Sequence, residues 1–228
     1  MRIRGIIFKI FVGASVILGC AAYEAGNILG AVAGLTLIAG GNSAVYTCII
    51  VGLASLILWT GRWRFISSLM TLLLAFMGVA FMILALSGGV DVLEVFQSLL
   101  SPSIPTSSEF VVIALIGTTI VPYNLFLSSG IGRGQTMPLM RVGLVVSVLA
   151  GGLVTTFILL AGVHVADFSS FQELSAAFEI QVGRWGAVLL GLGLFAAGFS
   201  STITAPYAAS VIGANVFDIR SEKKTRIF

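Results

Sequence analysis

Long uncharged runs of apolar residues alternate along the chain with short stretches that carry Lys, Arg, Asp or Glu. A bilayer core of about 30 Å needs roughly 20 apolar residues per helix, and the runs are of about that length or longer. They predict spans near 10–39, 44–60, 65–87, 111–129, 142–163 and 185–212. The first run exceeds one bilayer thickness, so we expect its helix to tilt or break. Its glycines Gly26, Gly30 and Gly34 predict the close approach of a neighbouring helix.

The composition agrees with this pattern. Hydrophobic residues make up 58% of the chain, charged residues 9%, and the mean hydropathy is +1.11, whereas a soluble domain has roughly 25% charged residues. A water-soluble fold is therefore excluded, and residues 1–228 are predicted to form a single transmembrane domain of an all-α membrane protein with about six transmembrane helices. Cys20 and Cys48 lie inside apolar runs, where a free thiol behaves as a small buried hydrophobe.

The basic residues predict the orientation in the membrane. With six crossings, eleven of the twelve Lys and Arg residues fall on one side, and Arg184 is the exception. Because cytoplasmic loops carry the excess of Lys and Arg, both termini are predicted to be cytoplasmic, in a bacterial-type inner membrane. The eleven are Arg2, Arg4, Lys9, Arg62, Arg64, Arg133, Arg141, Arg220, Lys223, Lys224 and Arg226.

A secretory signal is the alternative interpretation of the N-terminal segment. Basic residues precede an apolar run, and residues 17–20 resemble a lipoprotein cleavage site. The apolar pattern continues past Tyr23 and Glu24 to Ala39, which favours a retained span.

Glu24 is the one Asp, Glu, Lys or Arg that these spans place deep in the hydrocarbon. An ionisable group there costs about 2.5 kcal/mol or more and usually faces a polar pathway or a partner. Glu24 is therefore a functional candidate. The alternative is a protonated glutamic acid that forms a structural hydrogen bond to a neighbouring helix. Cys20, on the same helical face, is expected to be a buried spectator.

The fourth run contains Pro122 in its middle, preceded by Gly117, Thr118 and Thr119. Proline removes one backbone donor and clashes with the preceding turn. Carbonyl groups freed in this way are tolerated in a membrane only where they face protein or a wet cavity. The stretch predicts a broken helix that lines an ion site, as in many secondary transporters. A simple proline kink is the alternative.

Motifs of enzymes and of nucleic-acid-binding proteins are absent from the sequence. His164 is the only histidine, so it has no companion for a metal cluster. The sequence contains no phosphate-binding glycine loop, nucleophile elbow or HExxH pattern. The basic residues are scattered without aromatic neighbours. No enzymatic activity, cofactor or nucleic-acid partner is expected.

Four segments together resemble the Nramp family of divalent-metal transporters. Residues 117–129 resemble the family's sixth helix, and residues 23–35 resemble the third, whose glutamate matches Glu24. Arg62 and Arg64 resemble the basic loop before the fifth helix, and residues 194–210 the eighth helix. The resemblance covers essentially the whole chain. It implies a partial LeuT-type inverted-repeat fold that holds the equivalents of the third to eighth helices.

The resemblance also implies a function and an incomplete chain. The family's first discontinuous helix, with its Asp-Pro-Gly-Asn metal site, has no counterpart here, so we expect a fragment or a truncated reading frame. The complete protein would carry divalent metal cations (manganese, iron or magnesium) by secondary transport, the metal being its substrate. Its partners would be the lipid bilayer and the missing helices. A noncatalytic membrane subunit and an amino-acid transporter of the same fold are the alternatives.

The resemblance assigns roles to the residues of the broken helix. Thr118, Thr119 and Val121 would line the ion site, and Thr118 and Thr119 would be the metal ligands. Pro122 and Asn124 would shape the break. Val121 stands where the family has a metal-binding methionine and Thr118 where it has alanine. Because a thioether favours soft metals, its loss shifts the preference towards magnesium or a partly hydrated ion.

Glu24 and Tyr123 would form a proton or polar pathway. Tyr123 and Ser128 stand where the family has two histidines. Ala21, one turn before Glu24, stands where the family has an acidic residue. Neither tyrosine nor serine titrates near neutral pH. Glu24 is the titratable group that remains for proton coupling.

Overall fold

A computed structural model of the chain describes residues 2–89, 91–101, 103–104, 106, 108–121, 123–125, 136–163, 165 and 169–216. These residues are mostly helical and include no strand. Eight helices have described bounds: α1 (Arg2–Ala39), α2 (Ser43–Thr60), α3 (Trp63–Ser87), α4 (Val92–Leu100), α5 (Glu109–Thr119), α6 (Met137–Gly162), α7 (Phe171–Val182) and α8 (Trp185–Val216).

Five of these helices, α1, α2, α3, α6 and α8, are long and apolar enough to cross a membrane. The chain is an all-α membrane protein, as the apolar runs predict. Helix α1 runs unbroken over 38 residues, or about 57 Å. The predicted break is therefore absent, and a tilt is the remaining way to fit this length to the bilayer core that the sequence predicted. The run at 111–129 does not form one helix, because α5 ends at Thr119 and a helical turn starts again at Tyr123.

Helix α8 lies at the centre of the packing. Half of its apolar window is buried, against 6% to 22% for the other four spanning helices. It packs most extensively on α1 and also contacts α2, α3 and α7. One cluster joins Phe199 and Ile203 of α8 to Ala31 of α1 and Ile50 of α2.

Glycines bring α1 and α8 into backbone contact. A Cβ added to Gly198 would lie 2.5 Å from the Asn27 carbonyl oxygen, and one added to Gly34 would lie 2.5 Å from the Phe195 nitrogen. The close approach predicted for Gly34 is present. At Gly26 and Gly30 no described helix comes this close, because an added Cβ would meet none of the described neighbouring atoms within 4 Å at either position. The face of α1 that contacts α8 runs through Asn27, Ala31 and Gly34, and at about 100° per residue Gly30 lies at its flank and Gly26 farther round the helix.

The helices α4 and α7 lie in segments that the sequence predicted as loops. Both are amphipathic and carry acids, so a search for uncharged runs does not detect them. Helix α7 buries Phe178 beside Leu84 of α3 and Leu190 of α8. Its first turn is capped, since the Ser170 hydroxyl accepts a hydrogen bond from the Glu173 amide at 3.2 Å.

The Glu173 carboxylate completes this cap by accepting a hydrogen bond from the Ser169 amide at 2.7 Å. That backbone hydrogen bond, with a second one from the Ser169 hydroxyl, holds the pKa of Glu173 below its ordinary value. The cap is therefore fully formed near neutral pH. It weakens only as the pH falls through this lowered pKa.

Candidate functional site

Helix α5 is half a membrane span. Its 11 residues rise about 16 Å, close to half of a hydrocarbon core of about 30 Å. The helix starts at the charged residue Glu109, which belongs at the membrane surface. A helix of this length that starts at the membrane surface would end near the middle of the bilayer.

The interruption predicted from Pro122 is present. The Ile120 amide makes the last helical hydrogen bond, to the Ile116 carbonyl oxygen at 2.9 Å, and Ile120 then leaves the helical conformation with φ −94° and ψ 71°. The next turn begins with a hydrogen bond from the Asn124 amide to the Val121 carbonyl oxygen at 3.1 Å. Pro122 itself lies outside the described residues, as do Ser128 and His164.

Helix α1 contacts this interruption between Thr119 and Tyr123, which is called the break below, through Tyr23. The Tyr23 hydroxyl donates a hydrogen bond to the Gly117 carbonyl oxygen at 3.0 Å. This carbonyl belongs to the last turn of α5, where carbonyl groups lose their helical partners. The rings of Tyr23 and Tyr123 also meet edge to face, with centroids 5.8 Å apart. Tyr23 therefore ties α1 to both sides of the break.

Helix α8 forms the other wall of the break. Val121 and Tyr123 are buried in one cluster with Cys20 of α1 and with Ala205 and Ala208 of α8. Pro206 lies inside α8 without ending it. Cys20 is buried as expected, but Cys48 is exposed, because it lies on a face of α2 that no described helix covers.

Glu24 lies at this junction of α1 with the break. Tyr123 is within electrostatic reach of Glu24, Asn27 and Cys20. Glu24 and Asn27 interact electrostatically, yet Glu24 Oε2 and Asn27 Nδ2 are buried atoms without a hydrogen-bond partner among the described residues. Buried polar atoms usually have such a partner. Glu24 Oε2 can therefore accept a proton or a hydrogen bond, and Asn27 Nδ2 can donate a hydrogen bond to a polar ligand.

Thr118 and Thr119 are exposed at the end of α5. Their hydroxyls donate to the Leu115 carbonyl oxygen at 3.0 and 2.7 Å. A hydroxyl has one hydrogen, so each oxygen keeps lone pairs that can accept a bond from elsewhere. Asn124 is also exposed. The structure thus groups Glu24, Tyr123 and Val121 on the covered side of the break and places Thr118, Thr119 and Asn124 on the open side.

The sequence did not predict roles for Tyr23 and Asn27. Asn27 lies three residues after Glu24, on the same helical face, and an amide in an apolar run is a detectable signal. The role of Tyr23 depends on how α1 packs against the end of α5, which no local pattern shows. Among the described residues, no group of three His, Cys, Asp or Glu side chains could hold a metal ion.

A separate cavity of about 260 Å³ lies between α3 and α8. Thr204 Oγ1 lies 3.5 Å from Met70 Sδ at its wall. Ser67, Thr71 and Tyr207 also line it. The sequence did not predict this cavity, since its polar residues are dispersed in two apolar runs.

The comparisons with known proteins agree on one family. The family model for natural resistance-associated macrophage protein-like proteins matches residues 7–228. The divalent metal cation transporter MntH of Bradyrhizobium diazoefficiens is 26% identical over 208 residues, which cover 82% of this chain and 45% of that protein. The natural resistance-associated macrophage protein 2 homolog of Dictyostelium discoideum is 30% identical over 188 residues, covering 73% and 30%.

The metal transporter Nramp6 of Arabidopsis thaliana is 28% identical over 163 residues, which cover 60% of this chain and 31% of that protein. The chain therefore spans less than half the length of these curated relatives.

Proposed function

Because the chain belongs to the natural resistance-associated macrophage protein (Nramp) family, we propose that it forms part of a secondary transporter for divalent metal cations. One observation carries the proposal: α5 ends after about half the length of a span, and the Gly117 carbonyl of its last turn accepts a hydrogen bond from Tyr23, the neighbour of Glu24 in α1. Secondary transporters bind ions at half-helix ends of this kind. Relatives named as divalent metal cation transporters support the substrate class.

The end of α5 suits a cation. The carboxyl-terminal end of a helix carries partial negative charge, and the carbonyl and hydroxyl oxygens of Thr118 and Thr119 are candidate ligands. Pro122 has no amide hydrogen for the Thr118 carbonyl oxygen. Val121 offers no ligand, so manganese, iron or magnesium would be held by oxygen. Hard or partly hydrated ions prefer such ligands.

Glu24 and Tyr123 form the proton or polar pathway in this proposal, with Asn27 as a further polar group. Asn124 begins the helical turn that closes the break. Residues 1–228 constitute a single transmembrane domain in a LeuT-type inverted-repeat fold, which further helices of the same transporter complete. The metal is the substrate, and the proposal includes no cofactor.

Calorimetric titration with Mn²⁺ and Mg²⁺ tests the metal site. The broken stretch itself contains no carboxylate to balance a double positive charge, so we expect the 228-residue chain alone to bind with a Kd of about 1 mM or weaker, which is about −4 kcal/mol. Within a complete transporter the affinity should be at least tenfold higher. There, Thr119→Val keeps the side-chain shape, removes one oxygen and should weaken binding.

Thr155→Val is the matched control for Thr119→Val. Thr155 is also exposed, and its hydroxyl donates to the carbonyl oxygen four residues earlier at 2.9 Å, but it lies in α6, away from the break. Tight binding by the short chain, or equal affinities of the two variants, would contradict the proposed site.

The proposed location is a bacterial-type inner membrane with both termini in the cytoplasm, because of the basic-residue bias. In a Cys48→Ala background, an impermeant thiol reagent should label Gln97→Cys and Ser170→Cys in sealed cells. It should label Arg62→Cys only after lysis. Gln97 is chosen because it is exposed in α4, whereas Val95 is partly buried. Labelling at position 62 in sealed cells would reverse the orientation.

A further inference from the structure

Helix α4 presents an apolar face that no protein covers in the described part of the chain. Leu93, Phe96 and Leu100 recur at the i, i+3, i+7 spacing of one helical face. These side chains are 66%, 61% and 82% exposed. Ser98 lies on the opposite side of the helix and is exposed, whereas Gln97 borders the apolar face. Within the described residues, α4 makes no extensive contact with another helix.

A helix of nine residues is not stable alone in water, since isolated helices shorter than about 12 residues are marginal. Its N-terminal cap helps, because the Asp91 carboxylate accepts a hydrogen bond from the Leu93 amide at 2.8 Å. The cap leaves the apolar face without a partner. A short helix is stabilised mainly by burial of its apolar face, so α4 needs a partner that covers Leu93, Phe96 and Leu100.

The position of α4 in the chain identifies what covers this face. Helix α3 has 25 residues and a length of about 37 Å, enough to cross the whole bilayer core. Its end at Ser87 therefore lies at the membrane surface. Only residues 88–91 separate it from α4, and four residues reach at most about 14 Å. Gly89 has φ +68°, a conformation that lets the chain turn sharply after α3.

We propose that α4 is an interfacial anchor, which lies in the plane of the membrane with Leu93, Phe96 and Leu100 inserted at the boundary of headgroups and acyl chains. A helix of this length, about 14 Å, is too short to span the core. An amphipathic helix joined at both ends to membrane helices has the bilayer surface as its nearest apolar partner. The anchor holds the N-terminal end of α5, which begins at Glu109 after eight intervening residues.

The charges select the kind of lipid. Between Arg64 and Arg133 the sequence contains no Lys, Arg or His. Two acids are close by, because Asp91 directly precedes α4 and Glu94 belongs to it. Interfacial helices that prefer anionic lipids use basic side chains. Helix α4 therefore fits a zwitterionic surface, to which it binds through apolar burial alone.

Spin-label accessibility in phosphatidylcholine nanodiscs tests the anchor. A nitroxide is placed at Phe96→Cys or at Ser98→Cys in the full chain with Cys48→Ala, and the same chain without an added cysteine gives the background from buried Cys20. The ratio of oxygen to nickel-chelate accessibility should be several-fold higher at position 96 than at position 98. Leu100→Cys should behave like Phe96→Cys and covers the case in which the label at position 96 disturbs folding.

Three results would overturn the proposal. High nickel-chelate accessibility at positions 96 and 100 would place the face in water. Exclusion of both reagents from these positions would mean that protein, including a second copy of the chain, covers it. A clear increase in the ratio when phosphatidylglycerol replaces part of the phosphatidylcholine would contradict binding without charge. None of these measurements depends on metal transport.

Discussion

Gly198→Ala should destabilise the folded protein strongly, by roughly 3 kcal/mol or more, because overpacking here cannot be relieved by a side chain. The added Cβ would lie 2.5 Å from the Asn27 carbonyl oxygen and 2.9 Å from the Ala31 Cα atom. All of the nearest atoms belong to the backbone of α1. The two helices must separate, and the largest helix contact in the described structure is lost with them.

Gly30→Ala is the matched control, since Gly30 lies on α1 one residue before Ala31 and an added Cβ there meets nothing within 4 Å. Alanine is favoured over glycine in a helix by up to about 1 kcal/mol, so this variant should be neutral or slightly stabilising. Thermal unfolding in a mild detergent measures both. Equal midpoints for the two variants would show that α1 and α8 do not pack at this distance.

Glu24→Gln should remove most of the pH dependence of metal uptake in a complete transporter that contains this chain. Glutamine keeps the shape and the hydrogen-bonding capacity of the side chain but does not titrate. Where one proton controls a step, the parent rate changes by up to about tenfold per pH unit, and the variant should lose this slope. The expression level should change far less, because the side chain remains polar.

Glu109→Gln controls for the loss of a carboxylate elsewhere, since Glu109 is exposed at the start of α5. Its pH profile should match that of the parent in proteoliposomes with an imposed pH gradient. If Glu24→Gln keeps the parent profile at every pH, Glu24 serves as a structural hydrogen-bonding group, which is the alternative that the sequence left open.

The sequence by itself determined the class of the protein and the two segments of interest. Hydrophobicity is a local property, so the apolar runs locate the spanning helices without knowledge of their packing. Pro122 acts through its covalent structure, and α5 ends three residues before it. Glu24 is conspicuous because a carboxylate in hydrocarbon is costly wherever the neighbouring helices lie. The assignment of Thr118 and Thr119 as metal ligands remains a prediction.

Only the tertiary structure decided how these segments meet. The rotation of α1 about its axis selects Gly34, and not Gly26 or Gly30, for contact with α8. The same rotation places the Tyr23 hydroxyl 3.0 Å from the Gly117 carbonyl oxygen, although 94 residues separate them in the chain. Helix rotation and depth result from the packing of all neighbouring surfaces together. A local sequence pattern shows which face of a helix is apolar, but not which neighbour that face contacts.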